Sequence, residues 1–237
     1  MKPKKAKSGI TIRSFGPAIL VYAGLPGILF FTGCQFVSMV GVLGTPTPSE
    51  TKNSAQYNLT MDKDQKILVL VDQPASFSAY ANLRFYLTDT IIKTLQVKAK
   101  MKPSLFIDYK MLADLRAGTP DFYMLSPVQV GEKLGADLVL VVTIVDCRIT
   151  NIGEAGYNGS LDANAALYKV ATDEKLWPTM EQSQLVQVGC ESERRGQDAA
   201  CVRLASAAAH CITRYLYDCP KNGFKISDER TASGWEK

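Results

Sequence analysis

The sequence predicts an α/β (α+β) domain: a mixed sheet of about five strands with helices packed on it, in the order β-α-β-α-β-β-β-α. Three features predict it. Residues 66–72 (KILVLVD) and 137–146 (DLVLVVTIVD) are continuous apolar runs rich in branched side chains, the composition of strands covered on both faces. Residues 157–170 alternate instead, with Leu161, Ala163, Ala165 and Leu167 on one face and Ser160, Asp162 and Asn164 on the other, as in a half-buried strand. Helical periodicities separate the two apolar runs and close the chain.

The elements follow in order. The stretch Gln73-Pro74-Ala75-Ser76 breaks the first strand. A helix is predicted over 76–98, with Ser76 as N-cap and Leu83, Leu87, Ile91 and Leu95 as its buried stripe. Phe85 and Ile92 lie off that stripe, one above the other at i, i+7. They form either a second contact surface or part of a helix sandwiched more deeply than usual. A short strand is predicted at 104–108, then a helical or irregular piece with Leu112 and Leu115 that ends at Gly118-Thr119-Pro120. Ser126-Pro127 opens another helix with proline in its first turn, and Gly135 closes it as a left-handed cap. Residues 172–175 form a hairpin turn, and Leu176-Trp177 opens a return strand reaching about Val188. The last helix is predicted over 197–217, with Cys201, Leu204, Ala205, Ala208, Cys211, Ile212, Tyr215 and Cys219 on one stripe.

The chain of 237 residues is 46% hydrophobic and 21% charged, an ordinary globular composition. Its net charge of +4 is local. Lys2, Lys4, Lys5, Lys7 and Arg13 precede an apolar segment without any acid beside them, which leaves 22 of the 27 basic residues against 23 acids beyond residue 34. No basic surplus remains there to attract a phosphate backbone, so nucleic acid is not expected as a partner.

No charge occurs between Phe15 and Thr45. A basic start followed by an apolar run is the pattern of a secretory signal. The run passes through Phe31-Thr32-Gly33-Cys34, which resembles the lipobox of bacterial lipoproteins, where the signal is cut before a cysteine that carries lipid. Phe31 stands where leucine is usual. Cys34 is the lipid attachment that this resemblance implies. The apolar stretch continues to Leu43, so an uncleaved helix spanning the bilayer, which takes about 20 residues, stays open. Both readings put residues 50–237 outside the cytoplasm; a soluble cytoplasmic chain is the third. The organisation expected is a signal or anchor at 1–34, an apolar then polar linker at 35–63, the α/β domain at 64–222 and a loose polar tail at 223–237.

No catalytic set is apparent. His210 is the only histidine, and it points away from the predicted helical stripe. There is no glycine-rich phosphate loop. Asp72 and Gln73 end the first strand, where open α/β sheets place ligands, although Asp72 before Pro74 also serves simply to start a turn. The cysteines after Cys34 lack the close pairs that zinc sites use, so no metal or cofactor is expected. Asp72, Gln73, Phe85 and Ile92 are the candidate partner or ligand surface.

Three segments together look like a known group: the opening strand 66–72, the phrase EKLGADLVL at 132–140, and the hairpin YKVATDEKLW at 168–177. They resemble the periplasmic α/β domains of the TolB amino-terminal type, which include curli-secretion lipoproteins and lipoproteins that activate penicillin-binding proteins. The resemblance covers roughly residues 64–220. It implies a non-catalytic role in the envelope, either in an assembly or in binding a protein partner; the expected location is the periplasmic face, with the outer membrane favoured over the inner. It transfers no catalytic residue. The additional cysteines and the long apolar stretch after Cys34 depart from the group. A homo-oligomer, a small-ligand sensor and an enzyme with a carboxylate site remain open.

Overall fold

Strand β2 (Ile67–Asp72) pairs in parallel with β3 (Leu138–Asn151), from Ile67 opposite Leu138 to Asp72 opposite Thr143. Alternate residues of β2 serve two cores. Ile67, Val69 and Val71 enter the larger, Leu68 and Leu70 the smaller. This double burial is why the segment is an unbroken apolar run. The computed structural model describes residues 51–61, 64–74, 80 and 82–230. Cys34 with its apolar surroundings, the Ser76 cap and residues 231–237 lie outside the described residues.

A parallel pair needs a long crossover. It contains α1 (Leu83–Lys98), α2 (Tyr109–Gly118) and α3 (Pro127–Leu134). Helix α1 gives Leu83, Leu87, Ile91 and Leu95 to the larger core, the stripe its sequence carries. Helices α2 and α3 contribute Leu112, Val128 and Val130 to the smaller one. A capping box starts α3: Ser126 Oγ accepts from the Gln129 N–H at 3.2 Å, and Gln129 Oε1 accepts from the Ser126 N–H at 2.9 Å. Gly135, at φ 66°, ends it as predicted. Between them Gly131 has no room for a side chain, since a Cβ would sit 2.5 Å from Val139 Cγ2 and 2.8 Å from Val170 Cγ2.

The strand expected at 104–108 does not form. Pro103–Leu105 makes a 3-10 turn, and Phe106 contributes a single bridge to Ile67. Asp108 is already the N-cap of α2, its carboxylate accepting from the Lys110 N–H at 2.8 Å, so the segment is committed to a helix before a strand can extend.

Strand β3 runs past the predicted end at Asp146, because a bulge resets its phase. Leu138, Leu140, Val142 and Ile144 face the larger core; after the bulge at Val145, Cys147 and Ile149 do. Val145 is the extra residue and stands 51% exposed. Strand β4 (Tyr157–Lys169) returns antiparallel, burying Leu161, Ala163, Ala165 and Leu167 as its alternation predicts. Strands β5 (Glu174–Trp177) and β6 (Gln184–Glu193) both pair with β4, completing a five-stranded mixed sheet. The return strand is therefore split rather than continuous. Pro178 has no N–H for the ladder, and Trp177 turns inward to donate its indole N–H to Gln56 Oε1 at 2.7 Å.

Helix α4 (Gln197–Thr213) packs closely over β4: a Cβ on Gly159 would approach Leu204 Cδ1 to 2.9 Å. It stops at Thr213, short of the predicted Tyr217. The chain then forms β7 (Cys219–Pro220), antiparallel to β1 (Lys52–Asn53). Cys219 thus lies on a strand, not on the helical stripe. The N–H groups of Gln56 and Tyr57 donate to the Tyr215 carbonyl at 2.8 and 3.2 Å, and that of Leu59 donates to the Leu216 carbonyl at 3.1 Å. Leu59 is fully buried. Residues 51–61, expected as linker, are part of the fold.

The tail expected to be loose from 223 is docked as far as Arg230. The Gly189 N–H donates to the Asp228 carbonyl at 2.8 Å and the Arg230 N–H to the Gln187 carbonyl at 2.9 Å, covering part of the outer edge of β6. Two bidentate pairs fasten it. Arg203 grips Asp228 at 2.7 and 2.7 Å, and Arg214 grips Glu229 at 2.6 and 2.7 Å. Arg214 is 5% exposed by side chain and lies 5.0 Å from the Tyr215 ring centroid and 4.4 Å from that of Phe224. These arginines hold both carboxyls below the usual carboxylate range.

Two outcomes follow from this packing. Two contacts under 3 Å put overpacking by Gly131→Ala near the upper end of the usual ~1–3 kcal/mol, so even after the ~1 kcal/mol that alanine gains in a helix the variant should be less stable by about 1–2 kcal/mol. An unchanged urea midpoint would contradict so close an approach of α3 to β3. The depressed carboxyls contribute stability above their unfolded values of about 3.9 and 4.3, and that contribution is lost as pH falls through the lower folded values. Hydrogen-exchange protection of the Gly189 and Arg230 amides should therefore hold at pH 6 and collapse below about pH 4. Glu229→Gln should weaken it already at pH 6.

Candidate partner-binding surface

The candidate surface is built on the C-terminal end of β2. Asp72 is exposed there, and Gln73 folds inward, 6% exposed, donating from Nε2 to the Tyr80 carbonyl at 3.3 Å. Gln73 thus braces the chain leading to α1. Arg84, in the first turn of α1, donates to the Gln73 carbonyl at 3.4 Å. Arg116, from the last turn of α2, donates to the Val71 carbonyl at 2.8 Å and lies 5.2 Å from the Phe122 ring centroid. One backbone end is therefore held by two guanidinium groups from different helices. Burial, and then the like charge of Arg84, pull Arg116 below its ordinary value; Tyr109, Asp72 and Tyr123 act in the opposite sense.

Aromatic rings gather near Arg116, with Phe122 against it and Tyr109 and Tyr123 close enough to act on its charge. Phe85 is 45% exposed and meets the Tyr109 ring edge-on, centroids 5.4 Å apart. Tyr123 and Met124 project from the turn Phe122–Met124, 79% and 85% exposed. Phe122, beside them, is buried in the smaller core and orients the turn. Exposed large side chains on segments that converge on the end of β2 suit the burial of another surface.

Of the residues singled out in the sequence, Asp72, Gln73 and Phe85 come together here. Ile92 does not join them: it is half-buried and packs against the larger core. Sequence reasoning missed Arg84, Tyr109, Arg116, Tyr123 and Met124. The signal was the apolar triplet Phe122-Tyr123-Met124 between Pro120 and Ser126-Pro127, in a stretch too short to bury all three.

The cysteines are elsewhere. Cys147, Cys190, Cys201, Cys211 and Cys219 are all free and buried. Burial pushes the thiols of Cys147 and Cys211 up to about 12 and that of Cys201 to about 11. Among the described residues no group of three or more His, Cys, Asp or Glu is placed to hold a metal ion. No described helix is long and apolar enough to cross a membrane. His210 is half-buried, its Nε2 3.3 Å from the Phe224 carbonyl of the docked tail.

No family model matches the chain. No curated protein sequence matches it either. Solved structures that overlap it include lipoprotein GNA1162 from Neisseria meningitidis, at 17% identity and TM-score 0.41, covering 63% of this chain and 98% of that one. The PelC dodecamer from Paraburkholderia phytofirmans overlaps at 13% identity and TM-score 0.40, covering 71% and 94%. The LpoB C-terminal domain from Salmonella enterica does so at 17% identity and TM-score 0.31, covering 52% and 82%. Solved neighbours thus include a lipoprotein, at a likeness that assigns no family.

The thiols provide a check on this interior. Iodoacetamide at pH 8 should leave Cys147, Cys201 and Cys211 unmodified in the native protein over minutes, since a thiol with a pKa near 11–12 is almost wholly protonated there. In guanidinium chloride all three should react. Rapid native labelling, located by peptide mass mapping, would contradict the packing described.

Proposed function

We propose that the chain is a membrane-anchored bacterial envelope lipoprotein, non-catalytic, whose α/β domain binds a protein partner. The observation that carries the binding reading is the exposure of Phe85, Tyr123 and Met124, on segments that converge with Arg84 and Arg116 on the end of β2. Interfaces of this kind concentrate their energy in a few aromatic and arginine positions. The reading of the anchor rests on the basic start, the uncharged run 15–45 and the Thr32-Gly33-Cys34 sequence. One acyl chain holds a protein at a bilayer only marginally, whereas several hold it stably, and a modified lipobox cysteine carries several. The resemblance to periplasmic domains of the TolB type supports the periplasmic side, with the outer membrane favoured.

Labelling with a palmitate analogue in the native host should mark the wild type and not Cys34→Ala; equal labelling of both would remove the lipid anchor. Chemical crosslinking in intact membranes should join the wild type to a discrete partner. The combined substitution Phe85→Ser, Tyr123→Ser and Met124→Ser should reduce that product at least tenfold, the loss of about 1.4 kcal/mol or more expected for hot-spot side chains. A crosslinked product unchanged by all three would place the partner on another face.

A further inference from the structure

Helix α1 starts beside the candidate surface and ends at a second feature. After Lys98 the chain alternates: Ala99 and Met101 turn inward, 3% and 7% exposed, while Lys98, Lys100 and Lys102 stand in solvent. Lys100 takes φ 56°, the left-handed region, and so carries the alternation around the helix end. Lys52 on β1 adds a fourth ammonium from a different strand. The four line one depression of about 1080 Å³, together with Asp64 and Asp218. Among the described residues none of the four lysines forms an ion pair, whereas Lys93 and Lys110 pair with Asp89 and Asp114 at 2.7 and 2.6 Å. Attraction to the C-terminal dipole of α1 accounts for Lys98 alone. Basic and acidic residues nearly balance beyond residue 34, at 22 against 23, so this is a local concentration of charge and not an overall excess.

The depression also lies where the chain enters the domain. Residues 35–50 separate Cys34 from Thr51, a contour of at most about 55 Å and an r.m.s. span of about 22 Å if flexible. We propose that the lysine-lined depression docks on the phosphate headgroups of anionic phospholipid in the bilayer that anchors the chain. This rests on the anchor reading above and deepens it. Each lysine near an anionic membrane strengthens association about fivefold, an effect that decays within a Debye length of about 10 Å and is screened by salt. Helix α1, about 24 Å long by its 16 residues, then sets the Phe85–Tyr123 surface away from the membrane.

The test uses the full-length protein on two kinds of vesicle, pure phosphatidylcholine and a mixture with phosphatidylglycerol. Lysines are acetylated with a water-soluble reagent and mapped by mass. Lys52, Lys98, Lys100 and Lys102 should react at least threefold more slowly on the mixed vesicles, with Lys93 and Lys110 unchanged. High salt should abolish the protection, and the combined K98E, K100E and K102E variant should restore the reactivity of Lys52. Equal reactivity on both vesicles, with the protein floating on both, would overturn the docking face and leave the anchor intact. Failure to float with pure phosphatidylcholine would overturn the anchor, and the orientation with it. Equal protection by inorganic phosphate on phosphatidylcholine vesicles would assign the depression to a soluble anion and overturn bilayer docking.

Discussion

Parallel pairing of β2 with β3 leaves neither face of that pair to water, and the rest of the domain is arranged to satisfy it. Antiparallel pairs tolerate one wet face; this one sends Val69 to one core and Leu70 to the other. A crossover long enough to bring β3 alongside β2 had to carry apolar helices to both sides. Helix α1 covers one face together with α4, while α2 and α3 cover the other. The closeness of that second layer is visible at Gly131, where even a methyl group would meet two valines.

The domain is closed by its ends. Residues 51–61 bind carbonyl groups just beyond α4 and lend Gln56 to Trp177. Residues 221–230 run back past α4 to β6, held through Arg203 and Arg214. Arg214 is buried, and its charge is tolerable because a bidentate carboxylate and two aromatic rings surround it. Loss of Glu229 would leave that charge without its counterion, so the tail is bound to the state of the helix it crosses.

The two proposed binding faces sit at opposite ends of α1 for a geometric reason. A helix that follows a strand in a βαβ unit starts at the strand's C-terminal end and finishes at the other. The loop-rich end collects the side chains of several segments, here Phe85, Tyr109, Arg116 and Tyr123. The other end receives the chain entering the domain and gathers Lys52 with Lys98, Lys100 and Lys102. Partner binding and membrane contact, as proposed, therefore need not compete for one surface.

Local pattern determined much of this by itself. Unbroken apolar runs give doubly covered strands, the four-residue spacing of Leu83 to Leu95 gives a helix, and Ser126-Pro127 with Gly135 bounds another, because each signal depends on neighbours in sequence. Asp72 and Phe85 were legible as site candidates from strand position and helical phase. Pro178 already carried the break in the return strand, although the alternation around it suggested continuity. Only tertiary structure decided that residues 51–61 and 221–230 belong to the fold, that α4 stops at Thr213, and that Arg84 and Arg116 meet at the end of β2. Those outcomes rest on hydrogen bonds and ion pairs between residues far apart in the chain, such as Arg116 with Val71 and Arg214 with Glu229, and no local periodicity encodes which distant partner a polar side chain will find.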